Sequence, residues 1–180
     1  DAVERMKHMP FEDLGFAKLD HHRAIRHGMP EVIFGLGKTP EHVAAIAEKL
    51  LERSPNLLAT KTEPAAAELV RRHCAEAEYF PMSRVLRVWR DRTVNGKGKI
   101  AVLCAGTSDI PVAEEAKLTA ETMGNEIDLI LDVGVAGIHR LMAHHERLSE
   151  ARVAVVCAGM EGALPSVVGG MLGGPVIAVP

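Results

Sequence analysis

The sequence predicts an α/β protein: a doubly wound parallel sheet in the second half, preceded by a small α/β module. Two observations carry this. Apolar runs of strand length at 100–105, 127–133, 153–158 and 176–179 alternate with helical stretches near 111–123, 137–148 and 163–172. Such alternation implies a parallel sheet with crossover helices. The runs are continuous rather than two-faced, as expected of strands buried on both sides. A polar stretch at 91–97 contains Asn95-Gly96, a strong turn signal, and separates two expected domains at 1–92 and 98–180.

In the first module, 11–28 reads as a helix carrying Leu14, Leu19 and Ile25, ended by Gly28 and Pro30. A short strand follows at 31–35. Thr39-Pro40 opens an amphipathic helix with Val43, Ile46, Ala47, Leu50 and Leu51 on one face. A second strand at 57–60 leads to Thr62, the expected cap of a helix from Glu63 to about Ala77. At 84–90, Val85, Arg87 and Trp89 alternate with Leu86, Val88 and Arg90, which suits a strand in a small sheet. Gly35-Leu36-Gly37-Lys38-Thr39 falls short of a P-loop, because Val32 stands where its first glycine belongs.

Composition narrows the function. Of 180 residues, 25% are charged and 47% hydrophobic, with net charge -3 and pI near 6.3. That balance gives no basic footprint for nucleic acid or anionic membrane. One Trp and one Tyr do not furnish a base-stacking platform for nucleic acid, and no apolar run approaches the roughly 20 residues of a membrane span. Cys74, Cys104 and Cys157 form neither a metal spacing nor an even disulfide set, which fits a reducing cytoplasm. The chain begins with Asp1 rather than Met and ends at Pro180 directly after an apolar run, so a fold incomplete at its C-terminus is expected.

In doubly wound sheets, ligands bind beyond the carboxyl ends of the strands. The candidate binding residues there are Gly106, Thr107, Ser108 and Asp109; Gly134, Ala136, Gly137, His139 and Arg140; and Gly159, Met160 and Gly162. After the first strand, helix N-terminal amides and the dipole favour an anion, and Ser108 or Asp109 at the cap with Pro111 fixes where the helix begins. Arg140 suits a bidentate phosphate clamp or is simply solvated, and His139 either donates to a substrate oxygen or packs. His144 and His145 are adjacent on a helix and make a poor metal pair. Glu161, between Met160 and Gly162, is the catalytic candidate: a half-desolvated carboxylate at a cleft floor suits proton transfer. Cys104 and Cys157 lie inside strands and read as inert thiols, and Cys74 lies on a helix without an activating neighbour.

Ser108-Asp109, Ile138-His139-Arg140 and Gly162-Ala163-Leu164-Pro165 resemble motifs of the purine-biosynthesis carboxylase/mutase that moves carbon dioxide onto aminoimidazole ribonucleotide. That family's catalytic His falls on Ala163, and Glu161 stands where it carries a small residue. The whole chain resembles instead the related LarB family, the carboxylase/hydrolase of nickel-pincer nucleotide biosynthesis. The segments that carry this are His22-Arg23-x-x-Arg26-x-Gly28-x-Pro30-Glu31-Val32-Ile33, Gly37-Lys38-Thr39-Pro40-Glu41, Ala105-Gly106-Thr107-Ser108-Asp109 and Gly159-Met160-Glu161-Gly162-Ala163-Leu164-Pro165.

The resemblance implies a flavodoxin/Rossmann-like, purine-carboxylase-like second module. It further implies that nicotinic acid adenine dinucleotide, or an NAD-like ligand, is carboxylated at pyridinium C5 and its phosphoanhydride hydrolysed. The products would be pyridinium-3,5-biscarboxylic acid mononucleotide and AMP. Carbon dioxide or bicarbonate is the co-substrate, and Mg²⁺ is expected to bridge phosphate oxygens during the hydrolysis. Ser108 and Arg140 would hold phosphate, Asp109 ribose hydroxyls, and Glu161 bicarbonate or the C5 proton. A homo-oligomer with composite sites is expected, and the glycines at 169–174 suit close helix approach. The family's nucleophilic cysteine lies beyond the strand ending here at Pro180, and none of the three cysteines matches it. The chain, as a truncated form, is therefore expected to bind nucleotide without completing carboxylation. The alternatives are an aminoimidazole ribonucleotide carboxylase/mutase and a noncatalytic nucleotide-binding module.

Overall fold

A computed structural model describes residues 11–180. The chain divides after Asp91 into two compact units.

The first unit opens on a hairpin, β1 (Glu12–Asp13) against β2 (Lys18–Leu19), not on the helix that the spacing at 11–28 predicts. Gly15, at φ 82°, turns the chain and donates its N–H to the Asp13 carboxylate at 2.8 Å, while Lys18 pairs with Asp13 at 2.9 Å. Local side-chain bonds of this kind compete with helix formation. They leave a single turn, α1 (Arg23–His27), closed by Gly28 at φ 74°. β3 (Ile33–Phe34) leads into α2 (Pro40–Leu51), where the Thr39 hydroxyl accepts the His42 N–H at 3.3 Å. α2 buries Val43, Ile46, Ala47 and Leu50, the stripe expected from its periodicity. β4 (Asn56–Thr60) and α3 (Pro64–His73) follow.

Two expectations fail around α3. Its N-cap is Glu63, with no side-chain cap bond, and the Thr62 hydroxyl is buried without a partner among the described residues. The helix also stops at His73, because Cys74 leaves helical geometry at φ −141°. The residues then build an unforeseen strand, β5 (Glu78–Phe80), beside β6 (Val85–Trp89). The sheet order is β3-β4-β6-β5, with β3 and β4 parallel and the other pairs antiparallel. The alternation in β6 is real: Leu86 and Val88 enter the core shared with both helices, while the Arg87 guanidinium lies 4.3 Å from the Trp89 ring and pairs with Glu78 at 2.9 Å.

The second unit is the doubly wound sheet. Its strands are β7 (Lys99–Cys104), β8 (Glu126–Ile130), β9 (Ala151–Cys157) and β10 (Val176–Val179), all parallel, in the order β10-β9-β7-β8. Crossover α4 (Ile110–Thr122) covers one face, over Val102, Cys104 and Cys157. The other face carries α5 (Ile138–Met142), α6 (His145–Ser149) and α7 (Ala163–Met171), whose Leu141, Leu148, Leu164 and Val168 pack on Ala101, Leu103, Ala154 and Val156. The single helix expected at 137–148 is broken at Ala143 and His144, where Arg147 instead pairs with Asp128 of β8. Asn95 and Gly96 both donate to the Gly124 carbonyl at 2.9 Å, so the turn at the expected linker belongs to this unit. Gly174 is required by sterics, since a Cβ there would sit 2.3 Å from the Arg152 carbonyl oxygen as the chain enters β10. No described helix is long and apolar enough to cross a membrane.

The Thr62 backbone is held by Arg84 (2.7 Å) and the Tyr79 hydroxyl (3.0 Å), so only its side-chain oxygen lacks a partner. Replacing a buried, unsatisfied hydroxyl by a methyl of the same shape removes a desolvation cost of about 1 kcal/mol or more. Thr62→Val is therefore expected to raise the urea midpoint of unfolding, and an unchanged or lower midpoint counts against an orphaned hydroxyl.

Candidate functional site

The strand order reverses between β7 and β9, because the chain winds first to β8 on one side and then to β9 and β10 on the other. The loops leaving these strands diverge at that point, which opens a crevice at the carboxyl edge of the sheet. A cleft of about 320 Å³ lies there, lined by the loops after β7, β8 and β9.

The first loop contributes Gly106, Ser108 and Asp109. Thr107 is exposed and outside the lining. Residues Thr107–Asp109 make one 3₁₀ turn before α4, with Pro111 in the first turn of the helix. Asp109 stands at the N-cap of α4, but its carboxylate does not cap that helix. One oxygen accepts the Gly106 N–H at 2.9 Å and the other accepts the Gly159 N–H at 3.3 Å. Asp109 therefore ties the first loop to the third, and Gly159 touches Asp109 without lining the cleft.

The second loop contributes Asp132, Gly134, Val135, Ala136 and Arg140. β8 ends at Ile130, earlier than the apolar run suggests, because Asp132 adopts φ 56° and breaks the extended backbone. Val133 and Gly134 then donate to the carbonyls of Cys104 (3.0 Å) and Ala105 (2.8 Å), laying the loop along the end of β7. Arg140 pairs with Asp132 at 2.7 Å, and both are about half-exposed. Gly137 is not in the lining but under the guanidinium, where a Cβ would come 2.8 Å from Arg140 Nε. His139 is exposed and outside the lining, while His144 accepts from Arg147 at 3.3 Å.

The third loop contributes Ala158, Met160, Glu161 and Gly162, and α7 adds Leu164. Gly162 turns the chain at φ 66° into α7. Glu161 is exposed at the mouth rather than half-desolvated at the floor, and makes no hydrogen bond or ion pair among the described residues. It caps no helix. Met160 beside it is 94% exposed.

The residue that sequence reasoning missed is Asp132. Its signal was an acid set between Leu131 and Val133, inside an apolar run where a strand has no use for a charge. The donor set of the cleft does not fit a magnesium site built by protein side chains: Asp109 is spent on two amides, Asp132 on Arg140, and no three metal-ligating side chains converge among the described residues.

The two strand cysteines lie opposite each other on β7 and β9, on the face covered by α4. Burial pushes the Cys104 thiol up, and pushes Cys157 up to about 11 with Cys104 and Asp109 adding to the effect. Both are therefore held as neutral thiols at physiological pH and are not poised nucleophiles. An unfolded thiol ionises near 9, whereas folded Cys157 holds its proton to about 11. In that window the folded state binds more protons, so stability falls as pH rises. Wild type is expected to lose stability between pH 9 and 11 more steeply than Cys157→Ala, measured by denaturant midpoints. Equal slopes would refute the raised thiol.

Comparisons with known proteins agree with this architecture. Residues 11–91 match the family model described as LarB/PurE-like N-terminal domain, and residues 99–180 match AIR carboxylase. The chain is also 42% identical over 171 residues to the uncharacterized protein MJ0165 of Methanocaldococcus jannaschii, an alignment covering 91% of this chain and 67% of that protein. With both halves matched in order and a relative this similar over 91% of the chain, the chain belongs to the LarB-like, PurE-related family, and its second unit is a carboxylase-related module.

Proposed function

We propose that the protein is a carboxylase/hydrolase acting on nicotinic acid adenine dinucleotide. It would add carbon dioxide at pyridinium C5 and hydrolyse the phosphoanhydride, giving pyridinium-3,5-biscarboxylic acid mononucleotide and AMP, the first step of nickel-pincer nucleotide synthesis. The observation that supports this is the meeting of Ser108, Arg140 and Glu161 in one cleft at the switch point of the sheet. Arg140 and Ser108 suit phosphate, with the amides of the first turn of α4 nearby. Glu161, unpaired and at the mouth, suits a mobile proton. Asp109 serves as the brace that keeps the first and third loops together.

The chemistry assigns limits to these residues. A pyridinium ring is electron-poor and attacks carbon dioxide only after a nucleophile adds beside C5 and makes that carbon enamine-like. Carbon dioxide then bonds to C5, a base takes the C5 proton, the C5–H electron pair restores the aromatic ring, and the nucleophile leaves with the pair of its own bond to the ring. Glu161 is the base in this reading. Cys104 and Cys157 are too deeply buried and too basic to be the nucleophile. The 180-residue chain is accordingly expected to bind the dinucleotide without forming the carboxylated product.

The rival reading is an aminoimidazole ribonucleotide carboxylase/mutase, which the match of 99–180 to AIR carboxylase favours and Ala163, in place of that family's catalytic His, disfavours. Thermal melts separate the two. At about ten times Kd, nicotinic acid adenine dinucleotide is expected to raise Tm by about 4 °C, with Arg140→Ala abolishing the shift and aminoimidazole ribonucleotide giving none. A shift with aminoimidazole ribonucleotide alone selects the rival. Mass spectrometry of the dinucleotide incubated with bicarbonate checks the chemistry, and product formation by this chain would show that no thiol beyond those three is needed.

A further inference from the structure

We propose that Asp132 is a positioning residue, which fixes the Arg140 guanidinium so that its free N–H groups meet the anionic group of a ligand in the cleft. The proposal rests on the reading of the cleft as a nucleotide phosphate site.

Four observations converge on it. Asp132 lines the cleft and pairs with Arg140 Nη1 at 2.7 Å, Arg140's one partner among the described residues. Its backbone is held in the left-handed region at φ 56°, a conformation that a side chain other than Gly, Asn or Asp rarely adopts. That conformation is pinned from below, since the Asp132 N–H donates to Cys104 Sγ at 3.5 Å and Val133 N–H to the Cys104 carbonyl at 3.0 Å. Finally, the guanidinium lies across a floor of glycine. A Cβ on Gly137 would stand 2.8 Å from Nε, and one on Gly134 would stand 3.7 Å from Nη2 and 2.8 Å from the Ala105 carbonyl.

A surface ion pair of this exposure contributes little to stability. Its value is geometric. Arginine has a long, rotamer-rich side chain, and holding it in one arrangement before the ligand arrives removes an ordering cost from binding. A guanidinium carries five donors in a rigid fork. With one nitrogen engaged by Asp132 and the flat face resting on glycine, the remaining edge is left for a phosphate oxygen. Asp132 is thus an internal anion that orients the clamp, at a left-handed backbone position that Asp accommodates.

Calorimetry with nicotinic acid mononucleotide and with its nucleoside, which lacks the phosphate, tests the assignment in wild type, Asp132→Asn, Arg140→Ala and the double variant. Asn is isosteric and tolerates positive φ, so the first variant keeps the loop; if it fails to fold, Asp132→Gly serves the same purpose. Asp132→Asn is expected to weaken the mononucleotide about tenfold while leaving the nucleoside within about twofold. The double variant is expected to bind no more weakly than Arg140→Ala, because both changes remove one device. Wild-type or tighter mononucleotide binding by Asp132→Asn overturns the proposal, as does an equal loss for the nucleoside or an additive loss in the double variant. If wild type binds neither compound, the phosphate-site reading itself falls.

Discussion

The cleft depends on one carboxylate. Asp109 reaches back to the Gly106 amide and across to the Gly159 amide, so a single side chain fixes the separation of two loops that no strand pairing joins. Charge-assisted bonds from amides to a carboxylate are stronger than neutral ones, and both amides leave glycines, where no side chain blocks the approach. The second loop reaches the site by a different route, laid along the end of β7 by the Cys104 and Ala105 carbonyls. The cleft is thus shaped mainly by backbone groups, with Ser108, Arg140 and Glu161 added to a frame that does not depend on them.

This arrangement resolves an electrostatic difficulty. Three carboxylates and one guanidinium line the cleft, a poor balance for a phosphate ligand if all were free. They are not equivalent. Asp109 is saturated by amides and Asp132 is matched to Arg140, which leaves Glu161 alone at the mouth. The unpaired acid and the guanidinium are therefore separated within one cavity: Glu161 stands exposed on the third loop, while Arg140 lies with Asp132 over the glycines of the second.

The second unit was readable in the sequence because parallel strands buried on both faces announce themselves as unbroken apolar runs, and the loops beyond them are where glycine and polar residues gather. That placement found Gly106, Ser108, Asp109, Gly134, Ala136, Arg140, Met160, Glu161 and Gly162 in the lining, but not Asp132. What was hidden depended on single side chains turning where the pattern gives no sign. Asp109 looks like a cap and is a tie, and Asp132 sits in an apolar run whose strand had already ended. In the first unit the apolar spacing of Leu14, Leu19 and Ile25 fits a helix, yet Asp13 bonding Gly15 settled a hairpin first. β5 escaped notice because three residues are too few to show a period, and its neighbour β6 supplies the pairing that defines it.

Met160 gives the site one liability. It is the most exposed of the large apolar side chains in the described residues, and its thioether stands in water directly beside Glu161. Peroxide would reach that sulfur before the buried ones, converting a soft apolar rim into a polar sulfoxide. Among the described residues, oxidative wear is therefore expected to begin at the entrance of the cleft, and a reductase acting on methionine sulfoxide would restore it.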